Sequence, residues 1–285
     1  MQKFKQVVQV VKLSFIEWIL DIRQLFVLAV ILCTSNYTVT SLVRMSRDKE
    51  VPLNIVEPFL ASVNSIYVIL ILLFCWLILI SDYPKMEGNN GYILIRISRK
   101  IWLFGKLAAI MLGAAFYILE LIVVFFIRTA SVSFFANGWS YLMKDYAEKY
   151  MEESTKYAIV CVVQENIWNH YLPYEAMGKT ILLLFGLLCI CGFIMMASSL
   201  SKSKITGLIL NLILIVGGFA MVQTKSTMSC LLPVGNVMLS AQATHLIWLV
   251  PKWFSGVYFT VIGVGLLILN LILIKYGQVQ KDGEQ

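Results

Sequence analysis

Few residues in this chain could take part in chemistry, and their spacing does not match that of a catalytic site. The two histidines, His170 and His245, lack carboxylate or cysteine neighbours at the spacing of a metal site. The Gly-Lys-Thr run at 178–180 copies the end of a phosphate-binding loop, but Pro173 stands where that loop needs a glycine. We therefore predict that the chain is not an enzyme, holds no metal or cofactor and has no nucleotide site.

One acid, Glu120, lies in a long apolar run, where an ionisable residue is a functional hypothesis by default. It could line a pathway through the membrane, or it could make a structural hydrogen bond. Gly105, Ala109 and Gly113 recur every four residues upstream and form a flat ridge for close helix packing. Glu120 follows Gly113 by seven residues, so we expect it to project from nearly the same face.

The composition of the chain indicates the class of protein to which these residues belong. Hydrophobic residues make up 59% of the chain and charged residues 14%, and the mean hydropathy is +0.81. A soluble domain is less apolar and more charged, so an all-α integral membrane protein is predicted. The net charge of +7 forms no concentrated basic patch and does not indicate nucleic-acid binding.

The apolar runs predict six transmembrane helices. Residues 1–24 form an amphipathic interfacial helix, which could only anchor the first span or could also contact a cytosolic partner. We expect 44–63 to be a short outer loop, 128–179 an extracellular segment with a solvated helix at 144–156, and 276–285 a cytosolic tail. The segment 223–254, broken by prolines and a glycine, is predicted to form re-entrant or interfacial helices before the last span. The spans are predicted at 25–43, 64–80, 102–127, 180–197, 205–221 and 255–274.

The second half of the first span is unusually polar, with Thr34, Asn36 and Thr38 among its residues. Side chains of this kind are better placed against other helices or a water-filled cavity than against lipid. Ordinary interhelical hydrogen bonding and a pathway lining both fit this pattern. Cys161 and Cys230 fall in segments predicted to lie outside, where they could form a disulfide.

The polar loop between the second and third spans, residues 82–106, sets the predicted orientation. It carries five basic residues against two acids, and short basic loops stay on the cytoplasmic side. With both termini inside, the inner segments carry 13 basic and 6 acidic residues, and the outer segments carry 10 and 9. The predicted net charge is therefore +7 inside and +1 outside.

The layout of the whole chain resembles the membrane subunit of a bacterial ABC-2 type ABC exporter. The shared features are six spans, an amphipathic amino-terminal helix, a basic loop after span two and a broken segment before span six. The local runs 81–84 (SDYP) and 96–106 (RISRKIWLFGK) are similar to the corresponding loop of these permeases. The long outer segment before span four is a departure from the family pattern.

The resemblance implies that two permeases, as a homodimer in the bacterial plasma membrane, bind two cytosolic ABC ATPase subunits that carry ATP and Mg. The loop at 82–103 would be the coupling helix seated on the ATPase, and residues 1–24 the connecting helix beside it. The implied ATPase-coupling residues are Tyr83, Lys85, Tyr92, Arg96, Arg99 and Lys100. The polar half of the first span and the fifth span are the candidate dimer seam. The pathway and seam candidates are Thr34, Asn36, Thr38 and Glu120.

The cargo implied by the resemblance is amphipathic or hydrophobic, with an antimicrobial or toxin-like peptide as the first candidate. Two other classes stay open. An ion-coupled secondary transporter usually needs several charges near the membrane centre and repeated halves, and this chain offers only Glu120. A membrane-bound immunity or sensor protein without transport is the other alternative.

Overall fold

The computed structural model describes residues 2–84, 97–148, 156–157, 159–201, 203–224, 226–241 and 252–282. Helices form nearly all of this part of the chain. The first half contains α1 (Gln2–Ile19), α2 (Ile22–Lys49), β1 (Leu53–Asn54), α3 (Glu57–Val63), α4 (Ile66–Ile80), α5 (Arg99–Thr129) and β2 (Ser133–Phe134). The second half contains α6 (Tyr141–Glu148), α7 (Glu165–Trp168), α8 (Pro173–Leu200), α9 (Lys204–Gln223), a 3₁₀ helix (Thr227–Leu231), α10 (Pro233–Val237) and α11 (Phe254–Asp282).

Five helices are long and apolar enough to cross a membrane: α2, α5, α8, α9 and α11. The all-α membrane class is therefore confirmed. α3 and α4 together would supply a sixth span, but the chain bends by 81° between them. α4 alone has 15 residues and is about 22 Å long, which is shorter than a hydrocarbon core of about 30 Å.

The helix bundle has two ends, which we call the loop end and the strand end. At the loop end, α4 stops and α5 begins, with residues 85–96 between them outside the described part of the chain. At the strand end, β1 pairs with β2 in a short parallel ladder that aligns Leu53 with Ser133. α2, α5 and α9 run from the loop end to the strand end, and α4, α8 and α11 run back.

α8 is the centre of the bundle, and most of its apolar stretch is buried against other helices. Its glycines let neighbours approach closely, because a Cβ on Gly186 would lie 2.9 Å from the Phe259 ring of α11 and one on Gly192 would collide with Ile110 of α5. The indole of Trp76 in α4 donates to the Leu188 carbonyl over 3.0 Å. α9 and α11, by contrast, leave most of their apolar surface uncovered.

Side-chain hydrogen bonds reinforce this packing where no water is available. The Asn211 amide of α9 donates to the Cys191 carbonyl of α8 over 3.1 Å, and the Tyr117 hydroxyl of α5 donates to the Leu72 carbonyl of α4 over 2.8 Å. Both bonds use carbonyls of apolar spans, where an unpaired polar group would be costly. They fix the rotation of the helices about their axes.

The predicted outer loop at 44–63 is wrong. α2 continues to Lys49 and ends at Glu50, whose φ of 55° is a left-handed helix cap. β1 and α3 follow, and Pro58 stands in the first turn of α3, where its missing N–H is harmless. The prediction stopped the helix at the first charge, Arg44, although charged residues prolong a helix readily once it leaves an apolar environment.

Three other boundaries also differ from prediction. α8 begins at Pro173 rather than at 180, because proline is favoured in a first turn. α5 begins at Arg99, where the Ser98 hydroxyl caps the Ile101 amide. α11 continues to Asp282, through much of the predicted polar tail. The break before the last span is confirmed as far as Ala241, with one 3₁₀ turn and the short α10.

Candidate functional site

The candidate site lies at the loop end, where five helices meet around the residues that lead into the loop. Ser81, Asp82 and Tyr83 follow α4 directly; Ser81 and Asp82 bind Arg23, and Tyr83 binds Lys106. We call this group of contacts the base junction. Its members are Ser14, Glu17, Arg23, Ser81, Asp82, Tyr83, Lys106 and Lys204.

Arg23, in the first turn of α2, joins that helix to the end of α4. Its guanidinium donates to the Ser81 hydroxyl over 2.9 Å and forms an ion pair with the Asp82 carboxylate. Asp21 caps the start of α2 by accepting from the Arg23 amide over 3.1 Å. On the other side, the Lys204 ammonium of α9 donates to the Asp82 carbonyl over 3.1 Å. Asp82 therefore connects α2, α4 and α9.

Tyr83 joins the end of α4 to α5. Its hydroxyl donates to the Lys106 carbonyl over 2.7 Å, and the Lys106 ammonium lies 5.8 Å from the centre of its ring. Tyr83 is 8% exposed and Lys106 is 1% exposed. A lysine this buried is costly unless a negative charge is near. The exposed Glu17 of α1, which lines the same narrow cleft as Lys106, supplies that charge.

α1 packs along the early part of α5, on the ridge predicted from its glycines. Val10 of α1 is buried against Gly105, where a Cβ would lie only 2.6 Å from the valine side chain. Further along, Trp18 faces Gly113, where a Cβ would lie 3.6 Å from the indole ring, and it stands edge-on to the Phe116 ring. The predicted ridge is therefore confirmed as a packing surface, and the helix that occupies it comes from the same chain.

The base junction consists of hydrogen bonds and ion pairs between helices. Within the part of the chain that the structure describes, no cluster of histidine, cysteine or acidic side chains could hold a metal ion. His170 is exposed, with its ring Nδ1 2.8 Å from the Asn166 carbonyl, and His245 lies outside the described residues. What the junction provides is a set of contacts that join the residues before the loop to α2, α5 and α9.

The predicted coupling residues fall into three groups. Tyr83 is buried inside the base junction, so its side chain positions the end of the loop and offers little surface to a partner. Arg99 and Lys100 are exposed in the first turn of α5. Lys85, Tyr92 and Arg96 lie outside the described residues. A coupling role for any of these residues stays a prediction.

The predicted pathway and seam residues lie on two different faces of α2. Thr38 is fully buried and accepts from the Ser62 hydroxyl of α3 over 3.2 Å, so it serves packing within the chain. Asn36 is exposed and accepts from the Thr40 hydroxyl over 3.1 Å. Thr34 is half-buried between these two faces. The buried face of this stretch therefore makes interhelical hydrogen bonds, and a pathway lining stays a prediction for the exposed face.

Glu120 does not meet the polar residues of α2 in a shared site. It is half-buried on α5, and its Oε2 is enclosed without a hydrogen-bond partner in the described part of the chain. Gly113, on the face that Glu120 was expected to share, is covered by Trp18 of α1. No disulfide joins Cys161 and Cys230 in this structure.

A second polar cluster, which sequence reasoning missed, lies at the strand end around Glu57. This carboxylate is fully buried and accepts from the Ser140 amide over 2.6 Å, the Ser140 hydroxyl over 2.7 Å and the Asn54 amide over 3.0 Å. The Asn54 side chain donates to the Ala136 and Gly138 carbonyls. The cluster ties the segment after β2 to the start of α3. Its sequence signal was the Asn-x-x-Glu spacing of a capping box.

The structural roles of Lys106 and Arg23 were also not predicted. Sequence analysis used both residues only in the count of basic residues on each side of the membrane. A signal for Lys106 was available in its spacing. Leu103, Leu107 and Ile110 are buried on α5, and Lys106 completes that face at helical spacing. A lysine on the buried face of an apolar helix indicates a partner nearby.

Comparison with known proteins gives no match. No protein-family model, no curated protein sequence and no solved structure is significantly similar to this chain. The function therefore has to be argued from the geometry.

Proposed function

We propose that this chain is the membrane subunit of an ATP-driven exporter of the ABC-2 type. The observation that carries the proposal is the base junction, where the residues leading into the loop at 85–96 are fastened to α2, α5 and α9. A soluble partner that moves such a loop would move these three helices together. ATP and Mg would bind to that partner, and this chain would supply the attachment.

In this proposal the loop end faces the cytoplasm of a bacterial cell and both termini lie on that side. α4 serves as the remaining span, which makes six, and α3 lies across its outer end. α1 acts as the connecting helix, since it packs on α5 beside the loop and contributes Glu17 to the junction. The segment from β2 to the start of α8 lies outside the cell.

Pairing of two permeases is supported by the exposed surfaces of α2 and α9. On α2, Cys33, Asn36 and Tyr37 are all exposed, and an amide in an apolar helix is costly to leave against lipid. On α9 an exposed apolar face includes Ile209 and Ile213. A second copy covering both faces would shelter the amide and bury apolar area. The cargo, moved between the two copies, would be amphipathic or hydrophobic, such as a toxin-like peptide.

The first prediction concerns the ATPase partner. Reversing two exposed charges at the start of α5, with Arg99→Glu/Lys100→Glu, should reduce the recovery of a bound ATPase at least tenfold. The reason is that the variant replaces attraction with repulsion towards an acidic docking surface. The tagged chain is extracted in mild detergent from membranes of its own cells, and ATPase activity and bound nucleotide-binding subunits are measured in the eluate.

A matched control reverses two other positive charges at the opposite end of the helix bundle. Arg128 and Lys144 are exposed at the strand end, so Arg128→Glu/Lys144→Glu should leave ATPase recovery unchanged. If the wild-type chain comes out alone and inactive, the exporter proposal fails. Glu120, whose Oε2 is enclosed without a partner in the described residues, would then make proton-coupled transport the better account. A chain with neither activity would fit a sensor or immunity protein.

The second prediction concerns the seam. Cys33 is the exposed cysteine on α2, whereas Cys75, Cys189 and Cys191 are buried within the chain. Mild oxidation of membranes with copper phenanthroline should produce a cross-linked dimer, which Cys33→Ser removes and Cys75→Ser does not. Placing a new thiol nearby with Cys33→Ser/Asn36→Cys should restore it. A dimer that persists without Cys33 would exclude α2 from the seam.

A further inference from the structure

The side of the bundle near the strand end has an open apolar groove between α5 and α8. Its volume is about 680 Å³, including the space open to the surroundings. Ala115, Leu119 and Ile122 line it from α5, and Gly178, Leu182 and Phe185 line it from α8. Gly178 and Phe185 are seven residues apart on α8, so the groove is roughly 10 Å long. Its apolar lining and membrane setting fit part of a hydrocarbon chain.

Two lysines converge on one tyrosine near the start of α8, beside the strand-end limit of the groove. Lys179, next in sequence to the groove residue Gly178, donates to the Tyr171 hydroxyl over 2.8 Å and lies 4.6 Å from the centre of the ring. Lys252, just before α11, places its ammonium 4.9 Å from the same centre. Both positive charges are therefore within 5 Å of a single ring centre. We call these three residues the lysine clamp.

The ring that holds the lysines is itself held in place. Tyr171 is 8% exposed, and its carbonyl accepts from the Trp139 indole over 2.9 Å. The described part of the chain contains three salt bridges, and neither lysine takes part in them. Two ammonium groups near one fixed ring repel each other, and an anion between them removes that repulsion. A phosphate group suits this arrangement, because charge-assisted hydrogen bonds to lysine are strong.

The aromatic residues around the clamp place it at the depth of lipid headgroups. Trp139, Tyr171 and the exposed Trp253 lie near the strand ends of the spans. Tryptophan and tyrosine are enriched at that level of a membrane protein. A lipid bound here would have its headgroup beside the lysines and its acyl chain along α5 and α8.

We propose that the lysine clamp and the groove together form a binding site for one anionic phospholipid, with its phosphate between Lys179 and Lys252 and one acyl chain in the groove. The charge of the clamp selects an anionic headgroup over a zwitterionic one. The groove selects a lipid over a soluble phosphate, because only a lipid fills both parts. The site does not depend on the proposed export function.

The test uses the full-length chain, delipidated in detergent and titrated with phosphatidylglycerol or phosphatidylcholine of identical acyl chains. Native mass spectrometry counts the bound lipids. The wild type should retain one phosphatidylglycerol at least tenfold more tightly than phosphatidylcholine. Lys179→Gln/Lys252→Gln should reduce that preference to about twofold or less. The control Arg128→Gln/Lys144→Gln removes two exposed charges elsewhere near the strand end and should keep the preference.

A second variant tests the groove without harming the fold. A Cβ on Gly178 meets nothing within 4 Å, so Gly178→Leu can be accommodated at its Cβ and narrows the strand-end part of the groove. It should weaken retention of both lipids at least fivefold. The proposal is overturned if the wild type binds both lipids equally, if the control loses the preference as the clamp variant does, or if Gly178→Leu retains phosphatidylglycerol like the wild type. Displacement of the lipid by 10-fold excess inorganic phosphate would also overturn it.

Discussion

Replacing Glu57 with glutamine should remove the pH dependence of the cluster at the strand end. In the proposed arrangement α3 lies outside the spans, and Glu57 is buried there without a cation among its hydrogen-bond partners. Burial raises the pKa of the Glu57 carboxyl from 4.5 to about 7, against the opposing effect of its bonds from Ser140 and Asn54. The folded chain therefore holds the Glu57 proton more tightly than the unfolded chain does.

The direction of the pKa shift of Glu57 determines how the stability of the cluster changes with pH. Because the pKa is higher in the folded chain than in the unfolded one, the stabilising contribution is complete below about pH 4.5 and is lost as the pH rises through 7. A shift of this size corresponds to roughly 3 kcal/mol between the two limits. Glutamine is uncharged at every pH, but its amide nitrogen cannot accept one of the two backbone N–H bonds. Glu57→Gln should therefore be less stable than the wild type at pH 4.5 and lose no further stability up to pH 8.

Amide hydrogen exchange at Asn54 and Ser140 measures this locally, because both amides donate to Glu57. Protection factors, corrected for the intrinsic pH dependence of exchange, should fall with pH in the wild type and stay level in Glu57→Gln. Glu57→Ala is the control for lost acceptors. It leaves two buried amides unpaired and should lower protection at every pH, at about 1–3 kcal/mol for each amide. Protection that rises with pH in the wild type would show that the hydrogen bonds outweigh burial.

The helices themselves could be predicted from the sequence, because membrane spans are determined by local composition. The apolar runs gave α2, α5, α8, α9 and α11, and the prolines and glycine gave the break before α11. Helix ends were predicted less well. The first span was predicted to end before Arg44 and the fourth to begin at 180, but α2 continues to Lys49 and α8 begins at Pro173, both beyond the apolar stretch. The ends depend on caps and turns, which composition does not encode.

The candidate site was predicted in part, for a similar reason. The loop and the glycine ridge were recognisable because each is a feature of consecutive or regularly spaced residues. The bonds of the base junction were not, since Arg23 reaches Asp82 and Lys204 reaches the same residue across long separations in the chain. Tyr83 was selected for its place in the loop, and only the packed structure shows that its side chain points into the protein.

Adding a single methyl group at Gly105 should displace α1 from α5, while the same change at Gly113 should be tolerated. A Cβ on Gly105 would lie 2.6 Å from both Cβ and Cγ1 of Val10, which is 3% exposed and cannot rotate away from the contact. At Gly113 the new Cβ would lie 3.6 Å from the Trp18 ring, an ordinary contact distance. Overpacking of this kind costs about 1–3 kcal/mol, and alanine otherwise favours a helix by about 1 kcal/mol over glycine.

The two variants are therefore expected to affect the stability of the packing between α1 and α5 differently. Gly105→Ala should lower the thermal unfolding midpoint in detergent and expose α1 to limited proteolysis, and Gly113→Ala should leave both unchanged or raise the midpoint. Moving the glycine to the other helix, with Val10→Gly/Gly105→Ala, should recover part of the loss, because the clash needs both side chains. If Gly105→Ala behaves like Gly113→Ala, α1 does not rest on the ridge. Because α1 also carries Glu17 into the base junction, the same variant should weaken ATPase recovery if this helix connects the loop to the spans.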